Sequence, residues 1–208
     1  KAPYSKEPFQ TITYAECHDN HVLWDKLNLS AAPNAMQDAD PVSMRDMHKL
    51  ALSIVLTSQG ISFLHAGTEF LRTKQGVENS YKSPDEINAI DWSLKSENKD
   101  VFDYIKGLIE LRKKHPAFRM SSAEQIRKNL VFFEKQESGI VGYELNGAAA
   151  GASWKKIQVW FNGSGEEKTV NTGKEKWTSV VKDNRFEKKD NLTGTIKLKP
   201  YSCTILYQ

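Results

Sequence analysis

The sequence is poor in the features that mark several classes of protein. Among its 208 residues are two cysteines, Cys17 and Cys203, which lie far apart in strand-like surroundings, so we predict free thiols and no disulfide. No apolar run approaches the roughly 20 residues needed to cross a bilayer, so we predict no membrane span. Because free thiols occur in cytoplasmic and in secreted proteins, the compartment stays open.

Charge of one sign is also scarce. The formal net charge is +3, and the densest basic stretches, residues 112–114 and 185–189, have acidic neighbours, which argues against nucleic-acid binding. No group of residues has metal-ligand spacing, so we predict no metal, and nothing calls for a cofactor. What remains is a globular composition, 39% hydrophobic and 26% charged, that can bury a core.

The first half of the chain alternates apolar stretches with helical patterns. Residues 11–14 are β-branched or aromatic and predict a buried strand. Asp40 is a helix N-cap candidate, followed by a helix with one long apolar face that should stop at Gly60. Residues 60–65 predict a second strand, buried on both faces and parallel to the first, and residues 100–115 a second helix. The fold class of this half is therefore α/β.

Beyond residue 118 the pattern changes from helical to alternating. We therefore divide the chain into residues 1–118 and residues 119–208, and predict that the second part is an antiparallel β-sandwich. The predicted strands are residues 130–133, 140–145, 157–161, 177–181, 195–198 and 203–207.

Two parallel strands and two helices cannot close a barrel or cover both faces of a sheet. Either the chain is the C-terminal piece of a longer protein, or its strand edges pair with another copy or fragment. The start at Lys1 in place of methionine favours the first explanation.

A polar cluster follows the first predicted strand, with Asp19 at its centre. In a (β/α)₈ barrel the chemistry lies at the C-terminal ends of the strands, so Asp19 is a catalytic candidate there. By itself the signal is weak, because a His-Asp pair more often forms a turn or a cap.

Three sequence blocks resemble α-amylase-type glycoside hydrolases, and in particular type I pullulanases. Tyr-Ala-Glu-Cys-His-Asp-Asn-His-Val-Leu-Trp-Asp at residues 14–25 resembles the end of the seventh barrel strand, and Gln-Gly-Ile-Ser-Phe-Leu-His-Ala-Gly-Thr-Glu-Phe at residues 59–70 resembles the eighth. Residues 78–92 resemble the loop that follows in pullulanases. The resemblance implies a C-terminal fragment of a (β/α)₈ barrel, strands 7 and 8 with their helices, followed by the β-sandwich, in a bacterial protein.

The resemblance also implies roles for individual residues. Asp19 matches the carboxylate that stabilises the transition state, and His18 beside it would hydrogen-bond sugar hydroxyls. Asn20 is a weaker candidate for the same task. Asp85 matches a carboxylate that binds a glucose unit on the nonreducing side, although Ala89 stands where relatives often have a basic partner.

Two further residues of the long loop are candidate substrate contacts. Tyr81 and Asn88 could touch sugar, but we place loop architecture ahead of sugar binding for both. Glu69 has a side chain that could serve as an acid catalyst. The matching glutamate of the family is structural, however, and we assign Glu69 that role.

The retaining mechanism of the family needs a nucleophilic carboxylate and a general acid about 5 Å apart. The resemblance places both upstream of Lys1, so we expect the parent enzyme to cleave α-1,6 links in pullulan or branched α-glucans and the isolated chain to be inactive. Its partners would be the α-glucan and the missing N-terminal part of the same polypeptide.

Three other interpretations stay open. One is an isoamylase or branching enzyme, and another is a structural fragment left by proteolysis. The third is a noncatalytic carbohydrate-binding module that uses Trp154, Trp160 and Trp177, although tryptophans in strands with apolar neighbours are more often core.

Overall fold

A computed structural model describes residues 4–30, 41–134 and 136–208 of the chain. It contains six α-helices, three short 3₁₀ turns and ten strands within those residues. The helices are α1 (Leu23–Ser30), α2 (Pro41–Thr57), α3 (Asp85–Asn88), α4 (Ser93–Glu97), α5 (Lys99–Lys114) and α6 (Ala123–Asn129). The 3₁₀ turns are Pro8–Gln10, Thr68–Phe70 and Pro116–Arg119. No helix in the described part is long and apolar enough to span a membrane.

The two long helices form where the apolar spacing predicts them. α2 and α5 pack against each other, and their buried faces include Leu52 and Ile105, which are 1% and 0% exposed. The proposed N-cap Asp40 lies outside the described residues. Ile54, one of the apolar residues at helical spacing in α2, is 42% exposed, so the apolar face of the helix is not buried along its whole width.

The apolar and polar residues from 21 to 39 lack a sustained period and predict a loop with a turn of helix around Trp24, but the structure forms a longer helix there. Two full turns form in α1, since Val22 and Leu23 are buried and anchor its start.

The parallel strand pair is present but short. β1 (Ile12–Thr13) pairs with β2 (Ile61–Ser62), in the register Ile12 to Ile61 and Thr13 to Ser62. The prediction that these strands are buried is wrong for this chain: Ile12 is 60% exposed and Ile61 48%. The reason is that, in the part of the chain that the structure describes, neither strand has a second neighbour.

The strands of the second half form two antiparallel sheets. The strands are β3 (Leu130–Phe132), β4 (Ile140–Asn146), β5 (Lys156–Asn162), β6 (Lys168–Asn171), β7 (Trp177–Lys182), β8 (Arg185–Leu192), β9 (Thr195–Leu198) and β10 (Ser202–Tyr207). Six of them form one sheet in the order β3-β4-β5-β10-β7-β8, and β6 pairs with β9 in the other. The sandwich core between the sheets includes Trp160 and Trp177, each 1% exposed, as predicted for core tryptophans.

Three elements of this half were missed from the sequence. β8 carries mostly charged side chains at the edge of its sheet, where charge protects against further pairing, so it lacks a clear apolar face. β6 is only four residues long. α6 begins at Ser122, whose hydroxyl accepts the Gln125 N–H at 3.2 Å, and this capping signal is visible in the sequence.

The six-stranded sheet is covered on both faces. Its residues Leu145, Val159 and Ile205 belong to the same buried cluster as Leu52 and Ile105 of the helices. A continuous core therefore joins the helical half to the six-stranded sheet.

Arg112 of α5 connects the end of α2, the start of β2 and the turn that leads to the second half. It reaches their main-chain carbonyls with its two terminal nitrogens, Nη1 and Nη2. Nη1 donates to Leu56 O at 3.0 Å, Ser58 O at 2.7 Å and Phe118 O at 2.5 Å, and Nη2 donates to Gly60 O at 2.7 Å. A planar guanidinium suits this task because its donors form a fixed fork.

We predict that Arg112→Lys lowers the free energy of unfolding by about 2–4 kcal/mol, because one ammonium cannot replace four directed hydrogen bonds to partly buried carbonyls. Urea unfolding of the chain measures the change. Arg119→Lys is the matched control: Arg119 is exposed and also donates to two carbonyls, but those of Arg112 and Lys113 in the adjoining helix. We expect it to cost no more than about 0.5 kcal/mol; equal losses in the two variants would contradict the role of Arg112.

Candidate functional site

The candidate site is the loop of residues 17–22, between β1 and α1. Its central side chains point to solvent: His18 is 79% exposed and Asp19 71%. The nearest nitrogen of the imidazole, Nδ1, lies 3.5 Å from Asp19 Oδ2. Asn20 adopts a positive φ of 62°, which an asparagine tolerates better than most residues, and turns the chain toward α1. The loop therefore presents a carboxylate and an imidazole side by side.

A buried carboxylate closes this loop at its base. Glu16 is 7% exposed, and its Oε2 accepts the N–H of Leu23, the first residue of α1, at 2.5 Å. His65 Nδ1, just beyond β2, lies 4.0 Å from the same oxygen. Burial acts to raise the pKa of Glu16, but the neighbouring polar groups of His65 and Thr68 and the Leu23 amide outweigh it and hold the pKa below its usual value.

A second buried carboxylate ties α1 to the segment of residues 73–76. Asp25 is 5% exposed and accepts three hydrogen bonds. They come from Thr73 Oγ1 at 2.5 Å, Lys74 N at 2.8 Å and Gly76 N at 3.1 Å. His21 adds a contact of 3.1 Å between its Nε2 and Gly76 O. These contacts therefore hold the end of the Asp19 loop against this segment.

The long loop after β2 carries the other predicted site residues. Asp85 is exposed at the start of α3, and Tyr81 is 74% exposed. Asn88 points inward, and its Nδ2 donates to Ser80 O at 2.7 Å and Ser83 O at 2.9 Å. Asn88 therefore uses its amide protons to hold the loop, whereas Asp85 and Tyr81 are free to meet a ligand.

A hydrogen-bonded path links the two loops. Lys74, whose backbone is held by Asp25, donates from Nζ to Ser80 Oγ at 2.6 Å. The main-chain oxygen of Ser80 in turn accepts a hydrogen bond from Asn88 Nδ2. Glu69 accepts the Gly67 N–H at 3.0 Å, and its structural role stays a prediction. The Asp19 loop and the Asp85 loop are thus coupled through main-chain and buried polar contacts.

Glu16, Asp25 and His48 were missed as site residues. Glu16 and Asp25 stand within the sequence block that carries the family resemblance, but their partners lie about 50 residues away or are main-chain amides. A single sequence gives no signal for such pairs. His48 lies on the apolar face of α2, at helical spacing from Met44 and Val55, so the sequence does indicate its burial, but it does not reveal its partner, Thr68 O.

His48 is fully buried beneath the site. Its Nε2 lies 2.8 Å from Thr68 O, and because a carbonyl only accepts, that nitrogen carries the proton. The other nitrogen, Nδ1, is buried without a hydrogen-bond partner. Burial lowers the pKa of His48 to about 4, so the neutral ring is the stable form.

Three possible metal-ligand atoms meet in the candidate loop. One each from Cys17, His18 and Asp19 lie within 4.8 Å of one another, with Cys17 half-buried and the other two exposed. Exposed acidic groups are common without an ion. The absence of a metal site stays a prediction. Both cysteines are free thiols, with Cys17 in the loop and Cys203 buried in β10.

Comparison with known proteins gives one consistent family. A family model described as "Pullulanase, all-beta domain" matches residues 126–185. The pullulanase of Bacillus subtilis (strain 168) is 42% identical over 163 residues, which are 78% of this chain and 22% of that protein. The solved pullulanase from Bacillus acidopullulyticus has a TM-score of 0.91 at 38% identity and aligns with 99% of this chain and 25% of its own. A pullulanase from Anoxybacillus sp. LM18-11, complexed with maltotetraose, has a TM-score of 0.86 at 38% identity, over 98% of this chain and 28% of its own.

The chain is homologous to pullulanases. The resemblance inferred from its sequence motifs is thereby confirmed, and its mixed fold of helices and antiparallel sheet is that of part of the solved pullulanases. The chain spans about a quarter of the length of these relatives, from 22% to 28%.

We predict that the chain loses stability as the pH falls from about 6.5 to about 4, in part through His48. The unfolded chain protonates this histidine near pH 6.5, whereas the folded chain resists protonation until about pH 4, so stability is full above 6.5 and declines below it. The loss from His48 should reach on the order of 3 kcal/mol. Urea unfolding of the wild type and of His48→Gln at about pH 4.5 and about pH 7 measures it.

In His48→Gln the free energy of unfolding should depend less steeply on pH than in the wild type. His115, whose pKa burial likewise lowers to about 4, contributes with the same sign in both proteins, so the difference between them isolates His48. His18→Gln, at an exposed histidine, should keep the wild-type dependence. If the stability of His48→Gln depends on pH as steeply as that of the wild type, the conclusion that His48 is buried in its neutral form would be contradicted.

Proposed function

We propose that this chain is part of a retaining glycoside hydrolase that cleaves α-1,6-glucosidic links in pullulan or branched α-glucans. The observation that carries the proposal is the exposed carboxylate of Asp19 on a loop that directly follows a parallel strand, in a chain homologous to pullulanases. Electrostatic stabilisation of a cationic transition state requires a carboxylate that is open to the substrate and held in place by the residues around it.

The proposal includes the architecture of the parent protein. β1 and β2 would be the seventh and eighth strands of a (β/α)₈ barrel made by residues 1–118 together with the missing N-terminal part of the polypeptide, and residues 119–208 would form the C-terminal β-sandwich domain. The parallel pairing supports this, as do the half-exposed apolar side chains of Ile12, Ile61 and Phe63, which a closed barrel would cover. Tyr14 meets Phe63 edge to face, with ring centroids 6.2 Å apart, on the same open side.

The chemistry assigned to Asp19 follows from the charge of the reaction. Breaking a glycosidic bond creates positive charge on the ring oxygen and the anomeric carbon, and a fixed carboxylate beside them lowers the barrier. The nucleophile and the general acid, about 5 Å apart in retaining enzymes, would come from the rest of the polypeptide. The isolated chain is therefore inactive under this proposal.

The remaining candidates are assigned to substrate binding. His18 and Asn20 flank Asp19 and would hydrogen-bond the sugar next to the scissile link, while Asp85 and Tyr81 would contact a glucose unit further along the chain. Their exposure leaves them available for these contacts. Asn88 would act by holding the loop, since its amide is already bonded to Ser80 and Ser83. The solved Anoxybacillus pullulanase with maltotetraose supports an α-glucan as the ligand.

A carbohydrate-binding module built on the tryptophans is less well supported. Trp160 and Trp177 are each 1% exposed, so their faces cannot stack on a sugar. Trp154 is stacked between His115 and Tyr207, with ring centroids 3.7 and 4.0 Å away.

The test is hydrolysis of pullulan by the complete polypeptide and its Asp19→Asn variant. We expect kcat to fall about 100- to 1,000-fold, because the amide keeps the shape but removes the charge that stabilises the transition state. Proton NMR of the first product should show the retained α-anomer in the wild type.

Asp85→Ala is the companion variant in the same assay. Since Asp85 is assigned to binding remote from the bond that breaks, we expect a higher KM with kcat within about threefold of wild type. Wild-type kcat in Asp19→Asn, or Asp19-dependent hydrolysis by the isolated 208-residue chain, would contradict the proposal.

A further inference from the structure

We propose that Glu16 is the positioning residue that sets the location of Asp19. The inference rests on the proposed function, in which Asp19 acts on substrate, but its geometric basis lies wholly within the described residues. Asp19 itself has little to hold it: its side chain is 71% exposed, and its carboxylate meets an equally exposed neighbour, His18, at 3.5 Å. The loop has two further contacts, from His21 Nε2 to Gly76 O at 3.1 Å and from Cys17 Sγ to Asp19 O at 3.8 Å, and its strongest restraint lies where its two ends meet.

Glu16 joins those two ends. Its backbone precedes the loop of residues 17–22, and its carboxylate accepts the N–H of Leu23 immediately after the loop, at 2.5 Å. The bond also places a negative charge at the start of α1, where the free N–H groups and the helix dipole favour it. The six loop residues are thus closed into a ring whose closing contact is a charge-assisted hydrogen bond.

The same carboxylate also connects the loop to the segment that follows the second strand. His65 Nδ1 lies 4.0 Å from Glu16 Oε2, and His65 Nε2 lies 3.5 Å from Arg72 Nη1. Because a guanidinium only donates, Nε2 is the accepting nitrogen and Nδ1 carries the proton, which therefore faces Glu16. Nδ1 is buried and has no hydrogen-bond partner among the described residues, and the Glu16 carboxylate, at 4.0 Å, is within ion-pair distance of it. Glu16 is thus the group that faces this N–H.

Arg72 carries the connection into the long loop. Its Nη1 donates to Ala66 O at 3.1 Å and its Nη2 donates to Asn88 O at 2.5 Å. One buried carboxylate therefore lies at the meeting point of the Asp19 loop, the end of β2 and the loop that carries Asp85. Since a misplacement of about 1 Å in a catalytic group can cost about 100-fold in rate, loss of this carboxylate should appear in kcat.

The experiment measures kcat and KM on pullulan for the complete polypeptide with Glu16→Ala and Glu16→Gln. We expect Glu16→Ala to lower kcat about 30- to 100-fold with KM within about threefold, because the loop loses its closing contact. Glu16→Gln should lose about tenfold, since the amide oxygen can still accept the Leu23 N–H but carries no charge toward His65. If Glu16→Ala does not fold, Glu16→Gln carries the test.

Glu7→Gln is the matched control. Glu7 also accepts a main-chain N–H, that of Ala123 at 2.9 Å, but lies away from the candidate loop. A purely structural carboxylate should affect stability and leave kcat of the folded enzyme within about twofold. Glu16 variants that fold, keep wild-type kcat and differ from Glu7→Gln only in stability would overturn the proposal.

Hydrogen exchange of residues 17–22, followed by mass spectrometry on the same proteins, separates this proposal from the proposed function. We expect at least about tenfold faster exchange in Glu16→Ala and no change in Glu7→Gln, because only the first opens the ring. If the wild type does not cleave pullulan, the proposed function fails while the exchange rates still decide whether Glu16 holds the loop. Unchanged exchange in both variants would reject the positioning role.

Discussion

The guanidinium of Arg112 is the contact on which the arrangement of the helical half depends. Its four carbonyl partners end α2, precede β2 and close the turn after α5, so one side chain fixes where the second strand begins. Gly60 makes the turn possible, because its φ of 92° favours glycine and a Cβ there would meet Thr11 Oγ1 at 2.5 Å. The close approach brings β2 against β1, through the bond from Ile61 N to Thr11 O at 3.0 Å. Everything assigned to the candidate site lies beyond these two strands.

Two buried carboxylates hold the segments that follow this strand pair in the arrangement of the candidate site. Glu16 closes the Asp19 loop, and Asp25 ties the helix after that loop to the segment that leads to Asp85. Burying a carboxylate costs free energy unless hydrogen bonds or neighbouring positive groups offset it, and here both carboxylates accept main-chain N–H groups. The exposed Asp19 and His18 can therefore remain free for a ligand, while their supports are hidden beneath them.

The sequence was a good guide where periodicity determines structure, and a poor one where a side chain chooses a distant partner. The apolar spacing of α2 and α5, the parallel pairing of β1 with β2 and the core position of Trp160 could all be predicted, because each depends on local pattern. The burial of β1 and β2 was predicted wrongly, since it requires neighbouring strands that the described part of the chain does not supply. Glu16 and Asp25 could not be recognised, because their roles depend on Leu23, His65 and Thr73, which only folding brings near. The charged edge strand β8 was missed because protection of a sheet edge removes the apolar alternation that reveals a strand.

The most direct test of the account is a crystal structure of the complete polypeptide with a bound malto-oligosaccharide. We expect one glucose unit with hydroxyls about 2.6–3.2 Å from the Asp19 carboxylate and the His18 ring, β1 and β2 inside a closed barrel, and the bond from Leu23 N to Glu16 intact. An oligosaccharide that occupies the catalytic cleft while Asp19 faces away from it, without contact to the loop of residues 17–22, would contradict it.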